Sequence, residues 1–203
     1  TIDSLITFYN NPLLLQVLSI SEDTHQFLRF NLDLKDNQLS RVINAIEPFF
    51  NSDEIKTNHM HWMPRKNPQE VNAILLSLRR SKLRYFANWK GTPLDNMTHK
   101  EVSLCLNRAK IFLSFGHPEG FGLPIAEAMA SGCWVVGYTG GGGEELFRYG
   151  ASERVTFGDW QGYLAAIERV FTRFTEQPLD TKFRLERQAL AIKTLYSKEQ
   201  ELT

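Results

Sequence analysis

The chain is poor in the features that mark disulfide-rich, membrane-spanning or nucleic-acid-binding proteins. Its 203 residues include two cysteines, Cys105 and Cys133. Two thiols make no disulfide framework, and in a predicted helix and a predicted strand they read as buried free thiols of a reducing cytoplasm. Charge of one sign is also lacking, since Lys+Arg and Asp+Glu each total 23. No global field therefore draws nucleic acid or a membrane surface, although a local basic patch stays open. There is no signal peptide and no apolar run long enough to span a bilayer. The expected setting is cytoplasmic, with peripheral attachment at the inner face of the membrane left open. Repeats and low-complexity tracts are absent apart from Gly140 to Gly143. Those glycines lack the Gly-Lys-Ser/Thr continuation a P-loop needs, which excludes that reading. The chain begins at Thr1 rather than Met and reads as a piece of something longer.

What is present suffices for one packed domain and an appendage: 42% of residues are hydrophobic and 12% aromatic. Residues 13–20 (LLLQVLSI) predict a buried strand, and Ser21 a cap for a short helix to about Phe30. From about residue 55 strands and helices alternate. Strands are expected at 56–63, 83–89, 111–115, 134–138 and 154–157. The helix after Asn67-Pro68 has Val71, Ile74, Leu75 and Leu78 at a period of 3.6. Thr98 with Glu101 forms a capping box for a helix to Ala109. Trp160 to Phe174 is strongly amphipathic, and a last helix runs from about Asp180 with Leu185, Ala189, Ile192 and Tyr196 on one face. The alternation predicts an α/β fold: a Rossmann-like parallel sheet with helices on both faces.

The most informative stretch is EGFGLPIAEAMASG, residues 119–132. Gly120 and Gly122 let backbone approach a ligand closely, Pro124 is pre-set for the first helical position, and Ile125 to Ala130 favours helix. Helical side chains lean toward the N-terminus, so Glu127 is expected to point back at the loop that holds Glu119. Open N–H groups at the helix start suit an anion. The two carboxylates suit hydroxyls. A ligand with a phosphate and hydroxyl-rich ends, such as a nucleotide-sugar, satisfies both.

Glu119-x7-Glu127, with KIFLSFGHPEGFGLP before it and CWVVGYT and GGGGEELF after it, resembles the paired-glutamate motif of retaining glycosyltransferases of the GT-B fold, family 4 (glycosyl transferases group 1). The resemblance covers roughly thirty-five residues. It implies that the chain is the C-terminal, nucleotide-sugar-binding half of such an enzyme. RVINAIEPFF (41–50) resembles the segment that links the two GT-B domains. That makes 1–50 the end of the N-terminal domain and linker, 51–178 the nucleotide-sugar-binding domain and 179–203 a C-terminal helix. The rest of the N-terminal domain, which carries the acceptor site, becomes a missing partner. The acceptor would be a polysaccharide or glycolipid precursor, carbohydrate or lipid-linked. The resemblance also makes Glu119 the catalytic residue beside the donor sugar and Glu127 the holder of the ribose hydroxyls. Backbone at Gly120, Phe121, Gly122 and Leu123 would meet sugar or phosphate. It implies no cofactor beyond the nucleoside-diphosphate sugar and no bound metal.

Arg65 and Lys66 are the expected diphosphate cations, Arg through paired N–H bonds and Lys as a point charge. The family spaces its Arg and Lys about five residues apart. Here they are adjacent, and His61 stands five before Lys66. The loop Lys90-Gly91-Thr92-Pro93 is placed near the nucleobase, and Glu145 is expected to order the glycine loop. His59, His61 and His117 have poor spacing for a metal. Two rival readings stay open: a non-catalytic nucleotide-binding module of the same fold, and a glycosidase using both glutamates.

Overall fold

The computed structural model describes residues 2–32 and 34–201. Residues 202 and 203 of the expected C-terminal helix lie outside the described residues. In chain order the elements are α1 (Ile2–Tyr9), β1 (Val17–Ser19), α2 (Glu22–Asn31), β2 (Leu39–Arg41), β3 (Thr57–Trp62), α3 (Pro68–Arg80), β4 (Lys90–Pro93), α4 (His99–Arg108), β5 (Ala109–Ser114), α5 (Leu123–Ala130), β6 (Trp134–Gly137), β7 (Ser152–Arg154), α6 (Trp160–Glu176), α7 (Pro178–Leu195) and α8 (Lys198–Glu201). Local chemistry starts several helices as the sequence predicts. Ser21 Oγ accepts the Thr24 N–H at 3.1 Å, and Thr98 and Glu101 close their capping box. None of the described helices is long and apolar enough to cross a membrane.

Five parallel strands form the main sheet in the order β4-β3-β5-β6-β7. Alternation along each strand sends side chains to two cores. Ile111, Leu113, Phe115, Trp134, Val136 and Tyr138 pack with α3 and α6. Phe112 and Val135 pack with α4 and α5 on the other face. Helix α7 closes the end of the sheet, with Leu185 in one core and Ile192 in the other. Each such side chain contributes roughly 1.5–3 kcal/mol on burial. Lys56 is half-buried beside α4 and α5 and donates to the Leu106 and Ser131 carbonyls. It thus adds a charged donor at the C-terminal ends of both helices.

Three predicted strands move. Residues 13–20 are mostly exposed: Leu13 is 84% and Leu15 89% accessible, and only Val17 and Ser19 are buried. Strand β1 pairs with β2 alone, in a separate two-stranded parallel sheet. Residues 83–89 hold a 3-10 turn at Phe86–Asn88 instead of a strand. Trp89 there stacks on Phe171 at 4.8 Å between ring centres, so its apolar character serves a helix contact. The strand itself is Lys90–Pro93, fully exposed in pattern and paired with β3. A proline is tolerated because β4 is an edge strand. The last strand is Ser152–Arg154, earlier than 154–157. Beyond it, α7 starts at Pro178 rather than Asp180, and the C-terminal segment is two helices, α7 and α8.

Candidate active site

Helix α3 returns the chain from β3 to β4 at one edge. Helix α4 then carries it past β3 to β5 on the other side. The strand order therefore reverses between β3 and β5. Crevices of this kind, at the carboxyl ends of strands beside a reversal, are where open α/β sheets bind ligands. The loop after β3 carries Arg65 and Lys66, and the loop after β5 carries Glu119. Asn67 ties the two loops together, its side-chain amide donating to the carbonyls of Phe115 (2.6 Å) and His117 (3.0 Å).

Lys66 Nζ meets Glu119 Oε1 at 2.6 Å across the crevice. The pocket around them is closed down to about 10 Å³, room for no more than a single water. Two loops cradle Glu119. Its N–H donates to Gly140 O (2.8 Å) and its carbonyl accepts from Gly142 N–H (3.1 Å). A side chain at Gly140 would sit 2.6 Å from Glu119 Cβ, and one at Gly116 2.3 Å from Glu119 Oε1. The glycine run thus lets backbone pack on the Glu119 loop.

Glu127 does not turn toward Glu119. Its side chain is only 5% exposed, and its Oε1 meets His99 Nε2 at 2.6 Å. It opens into a neighbouring cavity of about 260 Å³ lined by Arg65, Met97, His99 and Leu123 among others. Met63 and Pro124 line both pockets. The adjacent cations therefore divide, Lys66 to one carboxylate's pocket and Arg65 to the other's. The helix starts one residue earlier than Pro124 predicts, with Gly122 left-handed at φ 85° as the cap. Leu123 takes the first helical position and Pro124 the second. The N–H groups of Phe121, Gly122 and Leu123 have no backbone acceptor among the described residues, whereas Ile125 N–H is used by Gly122 O. Gly120 is exposed. The Phe121 ring is buried against Tyr196, so only its main chain is available to a ligand.

Burial pushes the Glu127 carboxyl upward, and the His99 hydrogen bond opposes this. The folded state therefore keeps the proton to higher pH than the unfolded chain does, so stability falls as pH rises from ~4 upward. Glu127→Gln is expected to abolish that decline and to be the more stable form at neutral pH. Unfolding midpoints measured across the acid range would show it. Parallel profiles for the two proteins would sink the assignment.

His61 is buried with Nδ1 at 2.9 Å from Thr92 O, so it does not stand in for a displaced phosphate cation. His59 and His61 stack on β3, while His117 stacks on Phe157, leaving the three rings in two separate places. Lys90 to Pro93 lies in β4, and the loop that reaches the 260 Å³ cavity is the next one, through Leu94 and Met97. Glu145 is held by partners other than the glycine run. It is buried and accepts from Arg41, from Tyr196 OH (2.9 Å) and from the Glu22 N–H (2.8 Å). His99 is the site residue that sequence reasoning missed. Only its place at the first position of a capped helix could have drawn notice.

The fold and crevice define the class: a Rossmann-like domain of the kind that forms one half of a GT-B glycosyltransferase. Residues 92–179 match the family model described as glycosyl transferases group 1. An Alpha-1,6-glucosyltransferase of Actinobacillus pleuropneumoniae serotype 7 (strain AP76) is 45% identical over 47 residues, 23% of this chain and 14% of that protein. Among solved structures, a glycosyltransferase from Rickettsia africae superposes with TM-score 0.75 at 15% identity, covering 98% of this chain and 64% of the other. S. aureus TarM, a mutant in complex with Fondaparinux, alpha-GlcNAc-glycerol and UDP, gives 0.78 at 13% identity, covering 100% and 45%. The pneumococcal O-GlcNAc transferase GtfA, in complex with UDP and GlcNAc, gives 0.68 at 13%, covering 97% and 45%. The chain thus spans less than two thirds of the length of these proteins.

Proposed function

We propose that the chain forms the nucleotide-sugar half of a retaining, family-4-like glycosyltransferase. The observation that carries this reading is the Lys66–Glu119 pair across the reversal crevice, beside the open N–H groups of α5. The donor diphosphate would lie over Lys66, Arg65 and that helix start. An incoming phosphate offers Lys66 a stronger anion and frees the Glu119 carboxylate for sugar hydroxyls. Glu127 would take the ribose hydroxyls in the adjoining cavity. Cations fixed beside the leaving diphosphate stabilise the charge that develops there. In the reading with retention, the acceptor hydroxyl attacks from the leaving group's own face and gives its proton to the departing phosphate. No protein nucleophile takes part. The acceptor, carbohydrate or lipid-linked, would come from the N-terminal domain of the longer protein. The cytoplasmic setting belongs to the same proposal.

The test is thermal stabilisation by UDP, GDP, ADP and dTDP. A ligand at a hundred times its Kd adds about 2.7 kcal/mol. One base is expected to shift the midpoint, Lys66→Ala to remove the shift and Glu127→Ala to reduce it. No shift from any diphosphate would overturn the reading.

The non-catalytic alternative keeps one observation in its favour: the Lys66–Glu119 pair nearly closes the crevice. Nucleotide binding without sugar transfer by the full-length protein would select it. The glycosidase alternative loses ground, because the two glutamates face different pockets, each with its own basic partner.

A further inference from the structure

The Glu127 carboxylate is buried, and its position is not set by its own helix alone. His99 reaches it from α4, 28 positions earlier in the chain, with Nε2 at 2.6 Å from Oε1. The imidazole is itself held from behind. Phe49 meets it edge-on at 5.3 Å, and Phe50 lies tilted against it at 4.9 Å between ring centres. The backbone of that aromatic pair is pinned to α4, where Asn107 donates to Phe49 O (2.9 Å) and accepts from Asn51 N–H (3.1 Å). The base of the ring is equally fixed, since His99 follows the closed capping box of Thr98 and Glu101. His99 is half exposed and shares the 260 Å³ cavity with Glu127.

We propose that His99 is a positioning residue for Glu127: gripped by Phe49 and Phe50, it occupies one carboxylate oxygen and aims the other into the cavity to receive vicinal ribose hydroxyls. A buried carboxylate without that donor is free to rotate or to hold a proton, and a protonated acid accepts hydroxyl hydrogen bonds poorly. The arrangement also joins residues 46–51 to the pocket, so that a shift of this segment is felt at Glu127. The proposal rests on the nucleotide-sugar reading above, in which Glu127 meets ribose.

The experiment compares UDP, GDP and ADP with their 2′,3′-dideoxy forms, by calorimetry, on the wild-type chain and on His99→Ala, His99→Gln and Glu127→Ala. His99→Ala is expected to weaken binding of the ribose form about tenfold, the size of one hydrogen bond to a charged group. It should leave the dideoxy form unchanged. His99→Gln, whose amide can donate to the same oxygen, should recover most of the loss. Adding His99→Ala to Glu127→Ala should cost nothing further. An equal loss with ribose and dideoxy forms would make His99 merely structural and overturn the proposal. Ribose selectivity lost in Glu127→Ala but kept in His99→Ala would also overturn it, while leaving the parent reading standing. No binding of any diphosphate by the wild-type chain would overturn both.

Discussion

Glu145→Ala is expected to destabilise the chain by about 3 kcal/mol, read as a lower midpoint in urea with an unchanged slope. The side chain is 6% exposed and serves three donors from three places: Arg41 at the end of β2, the first N–H of α2 and the Tyr196 hydroxyl after α7. Removing the carboxylate leaves all three without their acceptor. Breaking a buried pair costs about 3–5 kcal/mol, and the lower end applies because Arg41 is 30% exposed and can rehydrate. The neighbouring Glu144 is the internal control. Its pair with Arg154 is exposed at both ends, so Glu144→Ala should stay within about 0.5 kcal/mol. Equal effects at 144 and 145 would show that the buried junction is not formed.

Gly142→Ala is expected to be at least as damaging, about 3 kcal/mol or more, and to remove nucleotide binding as well. A Cβ there would stand 2.1 Å from Gly120 O, 2.3 Å from Gly120 C and 2.6 Å from Glu119 O. All three are main-chain atoms of the loop that presents Glu119, so relief requires the loop itself to move. Gly150→Ala separates this effect from backbone strain. Gly150 has φ +91° with nothing within 4 Å of an added Cβ, and its replacement should cost only about 1 kcal/mol of conformational strain. Thermal midpoints with and without nucleotide would rank the two. A Gly142→Ala protein as stable as Gly150→Ala, with ligand response intact, would refute the packing of the two loops.

The parts of the fold that were legible in sequence are those whose cause is local. Periodicity revealed α3 and α6, capping chemistry revealed the start of α4, and the glycine–proline pattern revealed α5. The misplaced strands have non-local causes. Trp89 and its neighbours look strand-like because they are apolar, yet they serve a contact with α6. Lys90 to Pro93 looks like a turn, yet β3 recruits it as an edge partner. At the site, the motif marked both glutamates, but their basic partners follow from how loops from separate strands and helices converge. Nothing near His99 announces a carboxylate 28 positions away, and nothing near Glu145 announces Arg41.

The Glu145 junction also has a temporal side. Arg41 leaves the ribosome 104 residues ahead of its acceptor, which at ~5–20 residues per second means a wait of roughly 5–20 s. During synthesis α2 and β2 have at first no carboxylate to anchor them. Phe27 and Phe30, exposed even in the finished fold, are then joined by apolar surface not yet covered. The order of translation thus makes docking of the segment around Glu22 and Arg41 a late event.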